Sequence, residues 1–240
     1  MKFTLTRHAL TLSVLGALSL TAAPAVAQES LSVMSFGGAY QEAQRKAVFE
    51  TYTATTGIKI DEQEYGGEIA KIAAMIESGN TTIDVVDVDA PTLLQGCDEG
   101  IFETIDWTQI GDKADWLSGT TSDCGVGTIV YSTSLAYDAA TLENGPTALA
   151  DLFDSAKFPG KRGLWKNPAT NLEFALLADG VPVDQVYEVL GTPEGLDRAF
   201  AKLDTIKDSI VWWEAGAQAP QLLASGEVVM TTAWNGRINN

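Results

Sequence analysis

Histidine is almost missing from this 240-residue chain: the single one, His8, falls in the leading segment. A folded portion beginning after residue 27 therefore has none, which excludes Ser-His-Asp and Cys-His catalysis and the usual His-containing zinc sites. Cysteine is scarce too, with only Cys97 and Cys124, and no C-x-x-C spacing points to thiol redox chemistry. Positive charge is thin: 15 Lys and Arg stand against 32 Asp and Glu, a formal net charge of −17. Such a surface is a poor partner for nucleic acid. Its field would favour a cationic ligand, or serve only solubility. Internal repeats, low-complexity tracts and an apolar run long enough to span a bilayer are absent from the sequence.

What is present begins with an export signal. Lys2 and Arg7 form a positive n-region, residues 9–20 an apolar h-region, and Ala25-Val26-Ala27 a small-residue cleavage site. The expectation is a Sec-type signal peptide over residues 1–27, cut after Ala27. No Cys follows the h-region to carry a lipid and no twin Arg precedes it, so a free, soluble, monomeric protein in the periplasm is expected. Thiols oxidise in that compartment, and a Cys97–Cys124 disulfide is the expected state. Closing a loop of that length is worth about 3–4 kcal/mol on a chain-entropy argument.

The folded part opens on residues 31–40, LSVMSFGGAY, a short apolar strand, a Gly-Gly turn and the start of a helix. Gly37 and Gly38 can take φ > 0 and let a ligand approach the backbone, while the helix beyond aims free N–H groups at the turn. Tyr40, Ala43, Ala47, Val48 and Tyr52 share a helical face that stops at Gly57. Residues 58–62 read as a strand, and Ile69, Ile72, Ala73 and Ile76 as the stripe of a second helix. A third strand over 83–88 runs into Asp89, with Pro91 where the next helix starts. Asp89 thus stands at a strand's carboxyl end, as a ligand contact or as a helix cap. This alternation is the parallel α/β pattern. Residues 128–137 form a β-rich run of the kind that crosses between lobes, and a boundary near Tyr137 divides lobe 1 (28–137) from lobe 2 (138–240). In lobe 2, strands are expected at 163–165, 209–213 and 227–233, with helices between; of Trp212 and Trp213 one should be core, and Trp165 is open to either reading.

The segments SFGGAYQEAQRKA, GCDEG at 96–100, DCGVGT at 123–128, KFPGKRG, WWEAGAQ and VVMTTAWNGR occur in this order behind the export signal. Together they resemble the extracellular solute-binding proteins of ABC transporters, specifically the spermidine/putrescine branch. The resemblance implies a two-lobed type II periplasmic-binding fold of mixed, mostly parallel sheets flanked by helices, with a hinge crossover near 128–137. It implies binding and not catalysis, no cofactor and no metal. The implied partners are a small solute, polyamine-like, and a membrane permease. It also supports pairing Cys97 with Cys124. Members of that family run longer, so lobe 2 reads as incomplete, with its return to lobe 1 missing after Asn240.

Carried over residue by residue, the resemblance puts ligand contacts on Phe36, Gly37, Gly38 and Tyr40 in the first loop and on Asp89. In lobe 2 it puts them on Glu214, Trp234 and Asn235. Carboxylates would pair with ammonium ends, and aromatic faces would cover methylenes. One place departs from the pattern: the acidic pair of polyamine binders is replaced by Asn167, Pro168, Ala169, Thr170 and Asn171. The alternative solute is an amino acid, opine or other carboxylate-bearing compound held by the Gly-Gly turn and helix N-termini. A remoter alternative is a secreted hydrolase using Asp89 and Glu214 as an acid/base pair.

Overall fold

The computed structural model describes residues 30–238, so the expected signal peptide and its cleavage site lie outside the described residues. Two sheets organise the chain. In the first, β1 (Ser30–Ser35) lies between β2 (Lys59–Glu64) and the two-residue β3 (Val85–Val86), all parallel. The apolar centre of β1 is buried, and Met34 packs with Tyr65 and Ile72.

Gly37 and Gly38 both take positive φ, and α1 (Gly38–Gln44) starts there. It passes through a π-helical turn, Arg45–Phe49, into α2 (Glu50–Thr56), which ends on Gly57 at φ 76°. That left-handed C-cap is the glycine stop the sequence announces. The π turn was not foreseeable from the face pattern. Helix α3 (Ile69–Glu77) buries Ile72. Helix α4 (Ala90–Asp98) begins with Asp89 as N-cap and Pro91 in its first turn, and the short α5 (Trp107–Ile110) follows. Cys97 in α4 is bonded to Cys124, with Cα atoms 5.8 Å apart, which fastens the loop around residues 112–124 to the helix.

The second sheet has the order β4 (Thr133–Tyr137), β7 (Met230–Trp234), β5 (Arg162–Trp165), β6 (Ile210–Trp213). Its inner pairings are parallel, and β4 runs antiparallel to β7. The β-rich run expected over 128–137 is shorter as a strand: residues 128–132 take no regular structure. Only Thr133–Tyr137 pairs, and it does so in the second sheet. The third strand expected over 83–88 likewise shrinks to Val85–Val86, which pair with Val33 and Met34 of β1.

Strand β5 is buried along its whole length, as are the first four residues of β7, because helices cover the sheet. The helices are α6 (Asn171–Ala178), α7 (Val186–Leu190), α8 (Pro193–Asp204) and α9 (Gln218–Ala224), and α10 (Asn235–Ile238) follows β7. Helix α8 opens as its sequence predicts: Thr192 Oγ1 accepts the Gly195 N–H at 3.0 Å and Pro193 occupies the first turn. The main core gathers Leu152, Phe153, Leu164, Leu176, Ile206 and Met230. Arg162, fully buried, is satisfied by the carbonyls of Leu152, Asp154, Phe158 and Gly160, which braces the turn before β5. Among the described residues no helix is long and apolar enough to cross a membrane.

Candidate functional site

The carboxyl ends of the parallel strands of both sheets open onto one cavity of about 290 Å3. Ligands of open α/β sheets bind at that edge, because the loops there diverge and helix N-termini point inward. The first sheet contributes Phe36 and Tyr40 after β1, and Asp87, Val88 and Asp89 after β3. The second contributes Trp165 at the end of β5 and Trp234, Asn235 and Arg237 at the end of β7; residues 129–131 form the remaining wall.

Rings dominate the lining. Trp234 stands edge-on to Phe36, Trp165 and Trp213, with ring centroids 5.6, 5.3 and 5.4 Å away. Such T-shaped pairs match the positive edge of one ring to the negative face of the other. The Phe36–Trp234 contact joins the two sheets across the cavity. Trp213 is buried while Trp212 is half exposed, so the alternation of β6 decides which is core. Trp165 is both: only 3% exposed, it packs in the core and also lines the cavity.

Two kinds of charge meet these rings. On the first sheet's side, Asp87 Oδ2 accepts from Tyr40 Oη at 2.7 Å, Gln44 Nε2 at 2.9 Å and Ser35 Oγ at 3.1 Å, and the Tyr65 hydroxyl donates to the Asp87 carbonyl. Burial, reinforced by the negative charge of Asp87, raises the Tyr40 hydroxyl pKa well above its ordinary value. Tyr65 is raised in the same way, by burial and by the charges of Asp87, Asp89 and Glu68. Asp89 caps α4, its Oδ1 accepting the Thr92 N–H at 2.9 Å, and it also lines the cavity.

Facing them is Arg237, 8% exposed. Its Nη2 donates to the carbonyls of Phe36 at 3.0 Å and Gly37 at 2.9 Å, while its buried Nη1 has no hydrogen-bond partner within the protein. Burial lowers its pKa, offset by Glu64 and Tyr40, but a guanidinium stays charged. A buried cationic donor left unpaired is costly, which marks a place for an acceptor.

Of the residues expected at the site, Phe36, Tyr40, Asp89, Trp234 and Asn235 line the cavity. Gly37 and Gly38 are not in the lining; an added Cβ would meet the Glu64 carboxylate or, at 2.6 Å, Arg237 Nη1, respectively. Asn235 is largely occupied with the chain itself, since its Oδ1 accepts the Ser132 N–H at 3.1 Å and its N–H donates to the Ser132 carbonyl. Glu214 stands outside this lining, half exposed, with its carboxylate 2.6 Å from Lys166 Nζ. Asn171 also turns inward, donating to the carbonyls of Trp165 and Asn167. Sequence reasoning missed Asp87 and Arg237. The second was visible as the one cation in the Trp-Asn-Gly-Arg segment, and the first as one of two acids, with Asp84, in the strand segment 83–88.

The profile of the bacterial extracellular solute-binding protein family matches residues 47–240. The gamma-aminobutyric acid-binding protein of Pseudomonas aeruginosa is 51% identical over 227 residues, which cover 95% of this chain and 64% of that protein. The structure of the periplasmic binding protein MotA from A. tumefaciens B6, in complex with glucopine, is 39% identical with a TM-score of 0.83. The match covers 88% of this chain and 65% of MotA. The Atu4243-GABA receptor is 40% identical with a TM-score of 0.73, covering 88% of this chain and 64% of that structure. The chain thus spans a little under two thirds of the length of these relatives. All three are named as binding proteins or receptors, and the fold is shared with the two solved structures. The chain belongs to the bacterial extracellular solute-binding protein family.

Proposed function

We propose that this protein captures a small amino acid-like solute, bearing a carboxylate and an amine as gamma-aminobutyric acid or an opine does, and delivers it to an ABC permease. The observation that carries this reading is Arg237: a buried guanidinium with Nη1 unpartnered, on the wall of a cavity that also holds Asp87 and Asp89. A carboxylate on Nη1 would gain a charge-assisted hydrogen bond, and the ammonium end would face the two acids across the aromatic wall. A polyamine has only cationic ends and would meet Arg237 with like charge. That argument, the missing acids at 167–171, and relatives named for gamma-aminobutyric acid and glucopine favour the carboxylate-bearing solute over the polyamine.

In this reading Phe36, Tyr40, Asp87, Asp89, Trp165, Trp234 and Arg237 contact the solute, while Gly37, Gly38 and Asn235 hold the walls in place. The first sheet and its helices form one lobe, the second sheet the other, and residues 128–132 the crossover between them. Export through the signal peptide of residues 1–27 delivers the protein to the periplasm. The test is calorimetric titration of the full-length protein with gamma-aminobutyric acid, opines, putrescine and spermidine. Saturable binding of an amino acid or opine without turnover supports the reading. Binding of putrescine or spermidine alone overturns it.

A further inference from the structure

Gly37 adopts φ 63° and ψ −173°, a conformation open essentially to glycine alone. Its peptide is held from both sides. Gln41, itself only 2% exposed, accepts the Gly37 N–H on Oε1 at 3.1 Å and donates from Nε2 to Glu62. The Gly37 carbonyl, together with that of Phe36, receives Arg237 Nη2 from the opposite half of the molecule. The unusual backbone conformation therefore has a visible consequence: it turns two carbonyls of the first loop toward a cation that belongs to α10. These contacts need no solute, because every donor and acceptor is in the chain.

We propose that Arg237 is an interlobe latch. Its Nη2 draws the first loop and α10 together in the solute-free protein, and its Nη1 is left for the solute, so one side chain couples capture to closure. The coupling rests on the solute reading given above; the latch itself does not. A solute engaging Nη1 fixes the guanidinium plane and thereby the Nη2 contacts, which shifts the open–closed equilibrium toward the closed form. Two charge-assisted hydrogen bonds across the cleft bias that equilibrium by roughly 100-fold or more.

The test is small-angle X-ray scattering of the full-length, solute-free protein and of Arg237→Gln, whose shorter neutral side chain cannot span from α10 to the first loop. Gln41→Leu, which releases the same Gly37 peptide from the other side, is the second variant should Arg237→Gln not fold. The expected result is a larger radius of gyration in the variants, with the closed-to-open ratio reduced roughly 100-fold in Arg237→Gln. Unchanged scattering in the folded variants would overturn the latch. Titration with gamma-aminobutyric acid separates the two readings. If wild type does not bind it but Arg237→Gln still opens the protein, the latch stands and the solute reading falls. If wild type binds it and both variants scatter as wild type does, the latch falls and the solute reading stands.

Discussion

Tyr40 Oη donates to Asp87 Oδ2 at 2.7 Å, tying the first turn of α1 to the residue that follows β3. The bond fixes a cavity wall, and it makes the tyrosine a reporter. Burial and the Asp87 charge hold the folded-state pKa of Tyr40 above that of the unfolded chain. Its contribution to stability is therefore complete below about pH 10, where the unfolded tyrosine begins to ionise, and is lost as pH rises from there through the folded value. Tyr40→Phe should lower stability by about 1 kcal/mol at neutral pH. The gap to wild type should narrow above about pH 10. Denaturant melts across pH 7 to 11 check both; a gap that widens with pH would contradict the assignment.

The two acids carried over from the family should part company. Asp89→Asn keeps an oxygen to cap the Thr92 N–H but removes the charge facing the cavity. It should weaken binding of an amine-bearing solute by roughly 10-fold, the scale of one charge-assisted hydrogen bond, with stability nearly unchanged. Glu214→Gln removes only an exposed ion pair with Lys166, worth about 0–1 kcal/mol, and should leave affinity as it is. Calorimetry on both variants decides the matter, and equal losses would return Glu214 to the cleft.

Gly38→Val should cost more affinity than stability. The position has φ 57° and an ideal Cβ there lies 2.6 Å from Arg237 Nη1, so a branched side chain displaces the guanidinium from the cavity wall. Thermal melts compared with titration test this; matched losses would make the loop mere scaffold.

Reduction of Cys97–Cys124 should destabilise the protein by about 3 kcal/mol, since the 27-residue separation sets the loop entropy released to the unfolded chain. Thiol labelling of the denatured, unreduced protein should give no signal, and denaturant midpoints with and without reductant measure the cost. Affinity should change little, because neither cysteine lines the cavity.

Local features were legible in the sequence because their causes lie within a few residues. Gly57 ends α2 since only the left-handed region closes that turn; Thr192 and Pro193 open α8; alternation along β6 sends Trp213 inward and Trp212 out. The Gly37-Gly38 turn at the end of an apolar strand announced a loop where a backbone could be approached. The α/β order followed from period alone.

Pairing did not follow, because it depends on what distant segments bring. Residues 128–132 have the composition of a strand but meet no sheet edge among the described residues, while Thr133–Tyr137 finds β7 nearly a hundred positions away. Glu214 and Asp87 look alike as isolated carboxylates. Lys166 neutralises the one, and Tyr40, Gln44 and Ser35 converge on the other, only after the folds of both sheets are in place. The sequence by itself determined most of the elements and the caps at Gly57 and Thr192. Tertiary structure decided the charge of the site, by carrying Arg237 across 200 residues to the carbonyl of Gly37.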